Sequence, residues 1–300
     1  MTFISHMAPS RPRAGRRRES RLGLFQAWRL SARRTWLLVA VIVVVVATII
    51  TWALQAPSTS PAVHTPRPAG VPGDWTLKFD DEFNGTSLDT AKWSTGWYGS
   101  GITAPVNSSE DDCYDPAQVS EAGGALGLTL IRKSENCGTA DPLYAAGLVS
   151  TYGKFNFTYG YIEARVWLPG APADPGYVAN WPAIWTDGQN WPEDGEIDIA
   201  EGIDGRVCAH FHNAAHSSQG LNPGGESGCP GGKFTGGWHT FAANWEPGRI
   251  TYYYDGIDIG SVTSGVTSAP MFLVLDYATE GSAQAPDTMK VDYVRVWQHP

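Results

Sequence analysis

The sequence predicts an all-β body, a two-sheet antiparallel sandwich, preceded by a single transmembrane helix. Three observations carry that expectation. From Asp74 to Pro300 no long segment shows a helical apolar period, and short aromatic and β-branched runs are divided by Gly, Pro, Asn and Asp. Nothing repeats at a fixed period, which excludes propellers and solenoids. Residues 36–54, WLLVAVIVVVVATIITWAL, are nineteen uncharged positions in a row, long enough to cross a bilayer core as one helix.

In chain order, residues 1–35 form an Arg-rich tail with nine Arg against one Glu, a charge of +8 (9 − 1). From Trp36 onward, 12 basic and 29 acidic residues leave −17 (12 − 29). A body this acidic excludes nucleic-acid binding, which needs a cationic footprint. With 42% hydrophobic and 17% charged residues the chain is not disordered, and 34 Gly with 21 Pro but no Gly-X-Y period exclude collagen. Arg29, Arg33 and Arg34 at the amino end of segment 36–54 hold that side in the cytoplasm and put the body outside. A cleaved signal peptide before Ala56 is the competing reading, and Arg33-Arg34 faintly matches a twin-Arg export signal. Both readings place the body beyond the cytoplasm.

Residues 55–73 hold five Pro in nineteen positions and read as an extended spacer. The body follows at 74–300, with strand-like runs at LGLTLIR (126–132), YGYIEARVWL (159–168), GRITYYYDG (248–256), MFLVLDYA (271–278) and MKVDYVRVW (289–297). Tyr254-Asp255-Gly256 reads as a hairpin turn. All four cysteines lie in this body, at 113, 137, 208 and 229. An oxidising compartment favours two disulfides, and of three pairings the nearest-neighbour one is Cys113–Cys137 with Cys208–Cys229.

The segment Glu196-Ile197-Asp198-Ile199-Ala200-Glu201 carries the chemistry. Alternation puts Glu196 and Asp198 on one strand face, with Ile197 and Ile199 in the apolar layer. A β-bulge of one residue returns Glu201 to the acidic face. Like charges side by side on a central strand cost stability and raise at least one pKa. An exposed acidic edge or a calcium site is the bland alternative. Retaining glycoside hydrolysis uses such a set, one carboxylate as nucleophile and one protonated acid. Trp181, Trp185 and Trp191 sit beside these acids, and flat indole faces suit sugar rings. Trp245 and Trp297, within apolar strand patterns, are expected in the core.

Together these segments resemble glycoside hydrolase family 16, the β-glucanases and their laminarinase-like, bulged-motif members. EIDIAE (196–201) matches the bulged active-site motif, while YGYIEARVWLPG (159–170) and WPAIW (181–185) resemble substrate-cleft strands. FDDEFNGTSLDTAKW (79–93) resembles the first strand region and MKVDYVRVW (289–297) the last. The resemblance runs from about Asp74 to Gln298. It implies a concanavalin A-like β-jelly roll whose concave sheet forms a sugar cleft. It also implies Glu196 as nucleophile, Glu201 as general acid and then base, and Asp198 as their assistant. Trp181, Trp185, Trp191, His212 and Arg165 are the substrate-binding residues expected on this reading. No cofactor is required; a structural calcium ion on the side away from the cleft would involve Asp292.

The strand VCAHFHNAAHSS (207–218) departs from the family pattern. His212 falls at the family's position, and His210 is extra. A transition-metal reading would use His210, His212 and His216 near Cys208. The expected function is a retaining endo-acting β-glucanase on β-1,3-glucan or mixed-linked β-1,3-1,4-glucan, monomeric and tethered to the membrane. A transglycosylase using the same acids and a non-catalytic carbohydrate-binding module are the alternatives.

Overall fold

Alternating apolar runs pair wherever a tight turn or a long return brings them together, and the described residues form sixteen strands in two sheets. The computed structural model describes residues 66–68, 70–138, 142–220, 228–281 and 283–300, without the side chains of 216–220. The tail 1–35, the apolar run 36–54 and the spacer up to 65 lie outside the described residues. Among the described residues no helix is long and apolar enough to cross a membrane.

The first half of the fold comprises β1 (Thr76–Asp81), β2 (Asp112–Tyr114), β3 (Val119–Glu121), β4 (Leu126–Arg132), β5 (Tyr144–Ala146), β6 (Leu148–Ser150), β7 (Gly160–Trp167) and β8 (Trp181–Gly188). The second half comprises β9 (Glu196–Ile203), β10 (Arg206–Asn213), β11 (His216–Gly220), β12 (Trp238–Glu246), β13 (Arg249–Tyr254), β14 (Ile257–Val262), β15 (Met271–Ala278) and β16 (Asp287–Gln298). One sheet runs β14-β13-β12-β7-β16-β4-β5-β2, with β1 beside β16 and β3 beside β4; the other runs β11-β10-β9-β8-β15-β6. All strand pairings are antiparallel except β2 with β5, which is parallel because two strands and a long connection separate them. That pair corrects the expectation of a wholly antiparallel sandwich.

A single glycine lets the chain change sheets. Gly147 joins β5 to β6, and a Cβ there would lie 2.7 Å from the Gln118 carbonyl oxygen and 3.0 Å from the Leu128 Cα. Only glycine fits so close a backbone approach at this corner. Asp255 and Gly256 have φ of 50° and 74°, the two left-handed positions of a tight hairpin turn between β13 and β14. Asp204 and Gly205, at 51° and 75°, make the same turn between β9 and β10. That second turn fixes which residues of β10 lie opposite the acids of β9.

Ile197 and Ile199 are fully buried in the core between the sheets, with Phe241, Ala243 and Trp245 of β12 in the same cluster. Each isoleucine contributes roughly 1.5–3 kcal/mol of apolar burial, which offsets the cost of the charged opposite face. Trp245 and Trp297 are both buried, as expected. Trp297 belongs to a small cluster on the outer face of the larger sheet, against which Val71 and Trp75 pack. Its indole Nε1 donates to the Pro66 carbonyl at 2.8 Å, so Pro66 and Val71, expected as spacer, already lie on the fold.

Both expected disulfides are present, Cys113–Cys137 and Cys208–Cys229. Each closes a loop of just over twenty residues, for which the chain-entropy account gives about 3 kcal/mol.

Candidate active site

The acidic strand β9 occupies the middle of the six-stranded sheet, between β8 and β10. Its register shows the bulge directly: Glu201 and Asp198 lie opposite Ala183 and Trp185 of β8, two residues apart, although they are themselves three apart. The neighbouring strand agrees, with Cys208 opposite Glu201 and His210 opposite Asp198. Ile199 and Ala200 both turn into the core. Glu196, Asp198 and Glu201 therefore share one face.

That face is the floor of a cleft of about 460 Å³. It is lined by the three acids with Trp181, Ala183, Trp185, Trp191 and His212, and by Trp97, Val106, Asn107, Ser108, Glu110 and Asp276. The indole of Trp191 donates to Glu196 Oε2 at 2.5 Å. Trp181 Nε1 donates to Glu201 Oε1 at 3.0 Å, and His210 Nδ1 lies 2.9 Å from the other oxygen, Oε2. His212 Nε2 lies 3.0 Å from Asp198 Oδ2. Glu196 and Asp198 are hydrogen-bonded to each other.

Burial first, and then the Asp198 charge, push the Glu196 carboxyl well above the ordinary range. Burial and the Glu201 charge do the same to Asp198. The two titrate as one unit that holds a shared proton far above the pH at which an exposed carboxylate would release it. Burial leads in both, and the neighbouring like charges add to it.

The tryptophans divide by exposure. Trp191 is 48% exposed and presents a broad face to solvent, whereas Trp185 is 4% exposed and its Nε1 donates to Asp276 Oδ1 at 2.7 Å. Trp97 stands 6.0 Å from Trp185, ring centre to ring centre, and donates to Asp187 Oδ2 at 2.7 Å.

Sequence reasoning missed the cleft's second acidic wall. Glu110 accepts from Tyr114 Oη and from the backbone N–H of Val106 and Asn107. Tyr114 Oη also reaches Asp276 Oδ2 at 3.4 Å. Burial raises Glu110 to about 7 and Asp112 behind it to about 8, and lifts Asp276 well above its usual value. Asp276, the one acid in MFLVLDYA, was visible as a misfit in an apolar run. Glu110 and Asp112 sit in SSEDDCYD, where the density of charge gives no sign of burial.

Arg165 is not at the cleft. Strand β7 lies at the centre of the opposite sheet, and alternation sends Ile162, Ala164 and Val166 inward and Arg165 outward. Its guanidinium lies over the Trp238 ring at 5.1 Å and bonds Asp292 Oδ2 at 2.6 Å. This corrects both the cleft placement of 159–170 and the substrate-binding expectation for Arg165. Arg165 also meets the charge of Asp292, and on the same strand as Asp292, Arg295 holds Glu82 through Nε and Nη2 at 2.6 and 2.7 Å. These residues do not fit a calcium ion at Asp292.

The transition-metal reading changes too. Cys208 is in a disulfide, and the His216 side chain lies outside the described residues. His210 and His212 each meet a carboxylate of the acidic triad at hydrogen-bonding distance instead.

A carboxylate triad on a bulged strand, at the floor of a tryptophan-lined cleft in a two-sheet β sandwich, defines the class to which the chain belongs. The family described as glycosyl hydrolases family 16 matches residues 113–295, and the chain is a member of it. Among curated relatives, the Niallia circulans protein named glucan endo-1,3-beta-glucosidase A1 is 28% identical over 79% of this chain and 40% of its own length. The Sphingobacterium multivorum keratan-sulfate endo-1,4-beta-galactosidase is also 28% identical, over 76% of this chain and 56% of its own. The chain thus spans about half the length of these relatives. The catalytic domain of an endo-1,3-beta-glucanase (laminarinase) from Thermotoga petrophila RKU-1 superposes with a TM-score of 0.63 at 27% identity, covering 75% of this chain and 98% of that one.

Proposed function

We propose that this chain is a retaining, endo-acting glycoside hydrolase of a neutral β-glucan, β-1,3-linked or mixed β-1,3-1,4-linked. The observation that carries the reading is the placement of Glu196, Asp198 and Glu201 on one face of β9 at the cleft floor. Glu196 attacks the anomeric carbon while Glu201 gives its proton to the departing glycosidic oxygen. Water then attacks the same carbon and gives its proton to Glu201 as the bond to Glu196 breaks. Asp198, hydrogen-bonded to Glu196, shares the proton of the pair and steadies the nucleophile's charge. Trp191 offers the exposed face for a sugar ring, and its N–H holds the nucleophile's free oxygen in place.

Charge supports a neutral substrate. Among the described residues lining the cleft there are five carboxylates, Glu110, Glu196, Asp198, Glu201 and Asp276, and no Lys or Arg. A sulfated chain would enter with no cation to meet its charge. This favours a glucan over the keratan sulfate named for one relative.

The reading includes location. Residues 36–54 serve as the membrane helix, the Arg-rich tail stays inside and the body works outside as a monomer, with secretion after cleavage as the variant. Two disulfides in the body support an oxidising compartment.

The test is reducing-end release by the full-length chain from β-1,3-glucan, mixed-linked glucan, xyloglucan, a neutral galactan and keratan sulfate. Release from a neutral β-glucan with none from the sulfated polymer is expected. Preference for keratan sulfate, or binding without release from any polymer, would overturn the reading.

A further inference from the structure

We propose that His210 is the positioning residue of the acid/base, acting through Glu201; this rests on the reading of Glu201 as the acid/base. Two groups from two different strands grip the Glu201 carboxyl, one at each oxygen. Trp181 of β8 takes Oε1 at 3.0 Å and His210 of β10 takes Oε2 at 2.9 Å. A carboxyl held at one oxygen can swing about its terminal torsion, which is broad for glutamate. Held at both, it has one plane, and that plane decides whether its proton faces a glycosidic oxygen.

The strand pairing explains why His210 can do this. Directly opposite Glu201 stands Cys208, whose side chain is committed to the disulfide with Cys229. The slot beside Glu201 is therefore open to the next residue on the same face, His210, which reaches it diagonally from opposite Asp198. The disulfide also brings Gly228 against the imidazole: a Cβ at Gly228 would sit 3.1 Å from both Cδ2 and Nε2 of His210 and 2.4 Å from the Ala209 carbonyl oxygen. Beneath, the Tyr252 hydroxyl, from the other sheet, donates to the His210 carbonyl at 2.6 Å. The ring is 7% exposed and clamped on the side away from the carboxylate. A histidine that only filled space would need none of this alignment toward one oxygen.

The experiment compares wild type, His210→Ala and His210→Asn in the full-length oxidised chain on two substrates. One is the glucan, whose leaving group needs a proton; the other is a 2,4-dinitrophenyl β-glycoside of the same sugar, whose leaving group does not. His210→Ala is expected to lower kcat/KM on the glucan at least ~10-fold, with KM for the glucan and kcat/KM for the activated glycoside, which reports only the step that needs no acid, within about twofold of wild type. His210→Asn, which keeps a donor near the Nδ1 position, recovers most of the loss. In a Glu201→Ala background, adding His210→Ala costs nothing further. Equal losses of kcat/KM on both substrates, an undiminished glucan rate, or a further loss in the Glu201→Ala background would each overturn the proposal. A wild type inactive on every glycan would sink the hydrolase reading instead. The contact is then read by NMR, where Glu201→Gln must move the His210 Nδ1 resonance, and an unmoved resonance overturns the proposal.

Discussion

Asp112 offers a measure of how much the second acidic wall costs the fold. Its side chain is fully buried behind Glu110; Oδ1 accepts from the Thr279 N–H at 2.8 Å, and Oδ2 has no hydrogen-bond partner among the described residues. Burial, then the charge of Glu110, raises its pKa from 3.8 to about 8. A carboxyl raised in the folded state contributes stability at low pH that is lost as pH climbs from the unfolded value toward the folded one. Between pH 5 and pH 8 that loss is about 1.4 kcal/mol per pH unit, or up to about 4 kcal/mol. Asp112→Asn keeps an acceptor for Thr279 and removes the titration. The assay is thermal melting of both proteins at pH 5 and pH 8. The melting-temperature difference, variant minus wild type, should grow in the variant's favour across that range by about 10 °C, at 2–4 °C per kcal/mol for a domain of this size. Asp187, near 7, lowers the stability of both proteins alike and cancels in this difference, whereas Glu110, near 7, enters it only through the charge it places beside Asp112. A difference that stays constant with pH would refute the argument that Asp112 is a buried carboxyl kept neutral.

Two further outcomes follow from the geometry of β9. Glu201→Ala should abolish glucan hydrolysis and regain turnover of an activated aryl glycoside when azide is added, because azide needs no general base; failure of azide to rescue would remove Glu201 from the acid/base role. Deleting Ala200 should leave a folded domain with measurable glucan hydrolysis. The deletion restores strict alternation, with Ile199 taking the place of Ala200 opposite Ile184, and keeps Glu201 opposite Ala183. A soluble, folded deletion variant with no turnover would show that the bulge itself shapes the site.

Much of this site was legible in the sequence because it is local. EIDIAE contains its own periodicity, and the step from strict alternation to a bulge needed only the position of Glu201 relative to the two isoleucines. The opposite wall was not legible for the converse reason. Glu110 and Asp112 come from a segment that pairs with β5 only through a long return, and Asp276 comes from a strand far along the chain. Nothing in SSEDDCYD marks it as buried; its burial depends on β2 lying beside β5 at the end of the larger sheet. Arg165 failed differently. Its strand was assigned to the cleft by resemblance, but a strand in a sandwich has two faces in either sheet, and local pattern does not say which sheet it joins. Trp181 fell on the cleft face as expected, yet its N–H is committed to Glu201, so its place in the site is at the acid/base and not on an open platform.

The central claim is that Glu196 forms a covalent bond to the sugar. A 2-deoxy-2-fluoro β-glucosyl donor with a good leaving group slows the second step and traps that species. Intact-mass spectrometry followed by peptide mapping should show one added glycosyl unit per chain, located on Glu196, and none in Glu196→Gln. A label on Asp198 or Glu201, or a wild type that turns over glucan without ever acquiring the label, would contradict the account.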